Sequence, residues 1–286
     1  MSSRKQGGGD DRLYQIGEVS RMGGLSQRML RHYDELGLME PDVVGENGYR
    51  YYSRQTMLKI PVVNYLKMMG FSLDEIASMQ RHSNLLEARK LLGRHLEICE
   101  DEARRLSERR EAIVDWAELV EEANTVLRVR PSAVSVKFLS SCELLCLPSR
   151  FSGSFADAIV SLDFASFVSD VKNVITGPVI LGFDSVDDAV RAASEGRECD
   201  VRLLQKPMHP ISGETSASLP AGMYLSAYHI GAFEDMGSTY RRVLQFAQES
   251  GYRPCGMAYE RFVTDFWTTS NPDLFVTEVL LPTETE

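Results

Sequence analysis

From Leu85 to Val120 an apolar residue returns at every seventh position: Leu85, Leu92, Cys99, Leu106, Ile113 and Val120. A second set, Leu96, Ala103 and Ala117, lies four residues further on in each case, and Arg89 and Arg110 interrupt it. Seven residues are close to two helical turns, so these side chains line one narrow stripe of a long charged helix over 84–124. A stripe sustained this far predicts a two-stranded coiled coil, and the alanines let two backbones approach closely. The competing arrangement is a long helix packed on its own domain. No second helix of this kind follows in the chain, so the expected partner is another copy, a homodimer.

The segments on either side differ in charge. The net charge of -10 over 286 residues divides into 0 for residues 1–80, -1 for 81–130 and -9 for 131–286. A neutral first segment can bind DNA if its few Arg and Lys share one surface. The acidic remainder is compatible with a cationic ligand. With 43% hydrophobic residues the chain can build a core. Cys99, Cys142, Cys146, Cys199 and Cys255 are odd in number and scattered, which is no disulfide framework. Cys142 and Cys146 lack a nearby His or third Cys, so no metal site is expected. No apolar run is long enough for a membrane span. The polar, glycine-rich start has no signal-peptide core, and a cytoplasmic protein with a flexible arm over 1–12 is expected.

Residues 13–82 read as two short helices around Gly23-Gly24, the first from Tyr14 to Met22, the second capped by Ser26 and stopped by Gly37. A hairpin follows, Val43-Val44 and Tyr49 to Tyr52, turning at Glu46-Asn47-Gly48. Ser53 opens a third helix in which Pro61 predicts a kink or a delayed start. Ser72 and Glu75 form the capping-box pair of a fourth. Helix-turn-helix plus hairpin is a winged DNA-binding arrangement. Its second helix offers Gln27, Arg28, Arg31, His32 and Tyr33, and its wing Arg50, Tyr51 and Tyr52. Arg supplies charge and a planar fork for phosphate or guanine, and Tyr hydroxyls reach phosphates.

Pro131 marks the next boundary. Over 131–286 the pattern turns to α+β: strands over 134–147, 179–183, 223–230, 258–264 and 275–281, helices over 155–175, 184–193 and 236–250. Glu260 falls inside an apolar strand between Tyr259 and Phe262. An unpartnered buried carboxylate is costly. A lipophilic cation would neutralise it, and aromatic faces would add cation–π attraction. Tyr224, Tyr228, Phe233, Tyr259, Phe262, Trp267 and Phe275 are the candidate walls, and Phe151, Phe155 and Phe164 are further candidates. The alternatives are plain core packing for the aromatics and an ion pair to Arg253 or Arg261 for Glu260.

The run YQIGEVSRMGGLSQRMLRHYDELGLMEP, with NGYRYYS and LKMMGFSLDEI after it, resembles the DNA-binding domain of the MerR family of transcription regulators. The resemblance implies a winged helix-turn-helix domain over 13–82 and a dimerisation helix over 83–128, paired antiparallel in the dimer. It implies a promoter duplex with an over-long spacer that the activated dimer bends and untwists for RNA polymerase. Arg31, Tyr33, Arg50, Tyr51 and Tyr52 match family positions, and Lys67 matches a helix lysine that faces DNA. His32 stands where tyrosine is common, and Pro61 interrupts a usually regular helix. Metal-sensing members place cysteines at the end of the long helix, and none stands there in this chain.

The stretch MYLSAYHIGAFEDMGSTYRRVLQFAQESGYRPCGMAYERFVTDFW is similar to the GyrI-like effector domain of multidrug-responding members of that family. In drug-binding relatives the glutamate matching Glu260 sits at the floor of an aromatic pocket. The implied function is a drug-responsive activator without a cofactor, not an enzyme. The alternative is a GyrI-like hydrolase using the same glutamate as a base.

Overall fold

The computed structural model describes residues 12–82, 84–211 and 213–285, so the expected arm lies, but for Arg12, outside the described residues. The chain divides into two compact units, the first running to Arg105 and the second from Leu106.

The first unit runs β1 (Leu13–Gln15), α1 (Ile16–Gly23), α2 (Gln27–Glu35), β2 (Val43–Val44), β3 (Arg50–Ser53), α3 (Arg54–Met57), α4 (Lys59–Met68) and α5 (Leu73–His82), and enters α6 (Leu85–Val129). Its start corrects the sequence reading. Tyr14 and Gln15 are not helical but extend the wing sheet, Tyr14 opposite Tyr52. Three residues are too few to show an alternation. Gln15 instead caps α1, its amide donating to Glu18 Oε2 at 3.0 Å. Gly24 takes φ +66°, which a side chain would resist, and this turns α1 into α2. The Ser26 hydroxyl accepts the Met29 amide and starts α2. Pro61 delays a helix rather than kinking one: the chain breaks at Leu58, and Pro61 sits in the first turn of α4, where no amide partner is needed. Ser72 and Glu75 cap α5 reciprocally. Val19, Leu30, Tyr33, Leu38, Met39, Tyr52, Val63 and Ile76 form the core.

Helix α6 has 45 residues. Its heptad residues Leu85, Leu92, Leu106, Ile113 and Val120 are exposed, an open stripe that fits a coiled coil. A different face, Leu119, Ala123 and Val126, is buried against the second unit's sheet. Packing on its own domain therefore occurs as well, and polar contacts extend it upstream, Asp115 bonding Thr176 and Lys206 and Glu108 pairing with His209.

The second unit continues with β4 (Ser135–Leu139), β5 (Cys142–Phe151), α7 (Phe155–Ile159), α8 (Leu162–Asp170), β6 (Ile180–Phe183), α9 (Val186–Glu195), β7 (Cys199–Gln205), β8 (Ser216–Leu219), β9 (Gly222–Ile230), α10 (Met236–Ser250), β10 (Tyr252–Pro254), β11 (Ala258–Thr264) and β12 (Val276–Thr285). The strands form one antiparallel sheet in the order β4-β9-β12-β11-β6-β7-β5-β8, with β10 added on β12. The single strand expected over 134–147 is two, and the helix expected over 155–175 breaks at Val160, because Ser161 caps α8 by accepting the Phe164 amide. Strands β7, β8 and β10 lack a strong sequence signal. Their residues pair with neighbours far away in the chain.

Side chains alternate across a strand, so the sheet sorts its residues between two faces. On one face Leu181, Leu203, Leu225, Ala227, Phe262 and Val279 meet α9 and α10. On the reverse lie Tyr224, Tyr259 and Leu280, and further along Val263 and Val276 under α6.

Candidate functional site

The first unit presents Gln27, Arg28, Arg31 and His32 exposed along α2, and Lys67 exposed on α4. His32 stands 3.5 Å from Glu35. Arg50, half-buried on β3, donates through Nε to Asp34 Oδ2 at 2.7 Å and ties the wing to α2. Hydrogen bonding to Asp34 holds the Arg50 guanidinium above its usual range. Tyr51 is half-buried. Two residues expected at this surface are instead core. Tyr33 is 1% exposed and Tyr52 0%, and burial raises both phenols. Tyr33 follows Leu30 by three residues on the inward stripe of α2, and Tyr52 faces the same way as its partner Tyr14. Among surface residues the sequence reading passed over, Tyr49 stands 54% exposed beside the wing turn and Arg54 is exposed at the start of α3. Their position next to the Asn47-Gly48 turn and the Ser53 cap was the available signal.

In the second unit Glu260 is 0% exposed on the helix-covered face of β11. The Tyr240 hydroxyl, from α10, donates to its Oε1 at 2.8 Å, while Oε2 has no partner among the described residues. Burial pushes the Glu260 carboxyl up to about 8, and the Tyr240 hydrogen bond offsets part of that. Burial and the facing carboxylate hold the Tyr240 phenol well above its usual value. Neither ion pair considered as the alternative forms among the described residues. Arg261 leaves the opposite face of the strand, and Arg253 pairs with Glu284. On the Glu260 face Phe233 stacks on Phe275 at 4.8 Å and meets Phe262 edge-on at 5.4 Å, with Phe155 at 6.1 Å. Tyr240 was missed by sequence reasoning. Its signal was the inward stripe Met236, Tyr240, Val243, Ala247 of α10.

The other expected wall residues do not join this group. Tyr224 and Tyr259 lie on the reverse face, where the Tyr224 hydroxyl donates to the Pro220 carbonyl. Tyr228, also on the reverse face, donates to Glu122 of α6 at 2.8 Å. Burial pushes the Tyr224 phenol to about 12 and that of Tyr228 higher still. Trp267, beyond the end of β11, meets Trp116 of α6 edge-on. The reason is the period of two: residues that look clustered in sequence are divided by the sheet itself.

That reverse face carries its own polar cluster. Glu278, 1% exposed on β12, accepts from Lys137 Nζ and Ser226 Oγ, each at 2.5 Å, and from Arg261 Nε at 2.9 Å. Arg261 also donates to Glu122. Burial alone would raise the Glu278 carboxyl, but Arg261 and Lys137 together hold it below the ordinary range.

Among the described residues no His, Cys, Asp and Glu gather as a metal site, and no helix is long and apolar enough to cross a membrane.

Compared with known proteins, residues 14–83 match the model of MerR HTH family regulatory proteins, and residues 198–284 that of the GyrI-like small molecule binding domain. The HTH-type transcriptional regulator SkgA of Caulobacter vibrioides is 39% identical over 64 residues, 22% of this chain and only 25% of SkgA's length. The HTH-type transcriptional regulator CueR of Escherichia coli is 32% identical over 94 residues, 29% of this chain and 70% of CueR. The multidrug-efflux transporter 2 regulator of Bacillus subtilis is 24% identical over 271 residues, 89% of this chain and 90% of that protein.

Proposed function

This chain belongs to the MerR family of helix-turn-helix regulators and carries a GyrI-like domain, and from that premise we propose that it is a ligand-responsive transcription regulator. It acts as a homodimer joined along the exposed stripe of α6. It sits on a double-stranded promoter with an over-long spacer, and its effector is a lipophilic cation. Bending and untwisting the duplex brings both promoter elements to RNA polymerase. Arg28, Arg31 and His32 face the groove, and Arg50, held by Asp34, sets the wing. Tyr33 and Tyr52 support that surface from beneath.

The observation that carries the effector reading is Glu260, a carboxyl group sealed among aromatic rings with one oxygen unpartnered among the described residues. Such a group is costly in the empty protein. An aromatic cation that parts the packing around it recovers that cost, so ligand and opened state stabilise each other. Phe155, Phe233, Phe262 and Phe275, on the same face, are the rings it would meet. Tyr224, Tyr228, Tyr259 and Trp267 act on α6 and the reverse face instead.

The experiment is a titration of one cationic dye and one neutral analogue against wild type and Glu260→Gln. The cation should lose roughly ten- to a hundredfold in affinity, by the worth of a charged hydrogen bond, and the neutral dye much less. Equal losses, or none, would make Glu260 a structural residue. On the DNA side, Arg31→Ala should weaken operator binding and make the salt slope shallower by about one. An unchanged slope and affinity would remove Arg31 from the interface.

A further inference from the structure

Glu260 and Arg261 are successive residues of β11, so their side chains leave opposite faces of one strand. The first enters the aromatic core under α10. The second enters the reverse face and forks between two carboxylates, Glu278 of β12 and Glu122 of α6. These two carboxylates are not equivalent. Glu278 is 1% exposed and also held by Lys137 and Ser226, so it belongs to the sheet. Glu122 belongs to the long helix and is otherwise held by the Tyr228 hydroxyl. Arg261 is therefore the side chain of β11 that ties the strand to α6 by charge. Beyond the end of the strand Trp267 adds an apolar tie to Trp116 of the same helix.

We propose that Arg261 is the positioning residue through which an occupant beside Glu260 acts on α6, with Glu122 as its counterpart on the helix. The inference rests on reading Glu260 as the effector carboxylate. An occupant that parts β11 from α10 displaces the strand, and the strand carries Arg261 with it. The guanidinium is a rigid planar fork, so a shift that keeps its bond to Glu278 changes its bond to Glu122. Packed interfaces of this kind switch between discrete arrangements rather than deforming smoothly. Helix α6 is continuous from Leu85 to Val129, so a turn or slide at Glu122 is not absorbed within a loop.

The chain supplies its own reporter: its two tryptophans are the pair that straddles this joint. The test uses the full-length protein with tetraphenylphosphonium as the probe cation, binding read by calorimetry. Tryptophan emission and transcription from the promoter the protein occupies are read beside it. Wild type should bind, shift its emission and raise transcription. Glu122→Gln, which keeps the shape and the tyrosine hydrogen bond, should bind within about threefold of wild type, yet lose about fivefold or more of both responses, the low end of usual coupling. Arg261→Gln, which also gives up the bond to Glu278, should lose the responses likewise, and the double variant should be no worse than Arg261→Gln, because Glu122 then has no Arg261 contact left to lose. Normal responses in Glu122→Gln, or loss of binding in step with the responses, would overturn the proposal. So would additive losses in the double variant. If wild type itself ignores the cation, the effector reading fails and this inference fails with it. Binding with unaltered signalling sinks this inference alone.

Discussion

Two glutamates on neighbouring strands make opposite use of burial. Glu260 on β11 and Glu278 on β12 are 0% and 1% exposed. Glu278 meets Lys137, Arg261 and Ser226, and its carboxyl is held low. Among the described residues Glu260 is hydrogen-bonded by the Tyr240 hydroxyl alone, and its carboxyl rises to about 8. The sheet separates them, so the cations on one face do nothing for the acid on the other. Burial alone therefore says little about what a charged residue does; the inventory of partners decides. Glu278 has its partners within the protein, whereas Glu260 keeps one oxygen with no partner among the described residues.

The comparison can be broken most readily at Glu278. Glu278→Gln leaves Lys137 without its carboxylate and Arg261 with Glu122 alone, and removing one member of a buried ion pair costs up to about 3–5 kcal/mol. A clear drop in the denaturant midpoint is expected. A change below about 1 kcal/mol, the worth of a surface pair, would show the cluster to be solvent-screened.

Glu260→Gln should have the opposite sign and depend on pH. The folded carboxyl is raised by burial to about 8 from its ordinary 4.5. Between those values the folded state keeps a proton that the unfolded chain releases, so wild-type stability falls as pH rises through that window. The Gln variant lacks this slope. It should nearly match wild type at pH 4.5 and exceed it by on the order of 4 kcal/mol at pH 8. Asp265, 1% exposed and raised to about 6 by burial, adds a similar slope to both proteins and cancels in the difference. Glu278 contributes the reverse: its stabilisation is present above the ordinary carboxylate range and is lost as pH falls below it. Parallel pH–stability curves for wild type and Glu260→Gln would end the contrast between the two acids.

The smallest effect is expected for Tyr240→Phe. It removes the hydroxyl that donates to Glu260 Oε1 and keeps the ring that fills the core. The carboxyl should rise further, and affinity for a lipophilic cation should fall a few-fold, in line with about 1 kcal/mol for one hydrogen bond. Calorimetry at pH 7 and 9 sharpens this, because at pH 9 more of the acid is ionised and the loss should shrink. A loss independent of pH would mean that Tyr240 touches the ligand directly.

Local signals were legible in the chain wherever a few consecutive residues decide the structure. The seven-residue stripe of α6, the Ser26 and Ser72 caps, the Asn47-Gly48 turn and the helix Met236–Ser250 are of this kind. Each depends on periodicity or on a side chain reaching a backbone group within a turn. The acid in an apolar strand was legible for the same reason, since Glu260 stands among Ala258, Tyr259, Phe262 and Val263. What the chain could not reveal was which residues share a face with it. Tyr259 is its neighbour in sequence and lies across the sheet, while Tyr240, twenty residues away, is its hydrogen-bond donor. Lys137 and Glu278 are 141 residues apart and meet only because β4, β9 and β12 are adjacent. Likewise Tyr33 and Tyr52 read as contact residues until the packing of α2 against the wing sheet placed both in the core. A period of two says that a strand has two sides. Only the order of strands and the helices laid over them determine which side is sealed and which meets α6, because those choices rest on contacts between residues that the sequence keeps far apart.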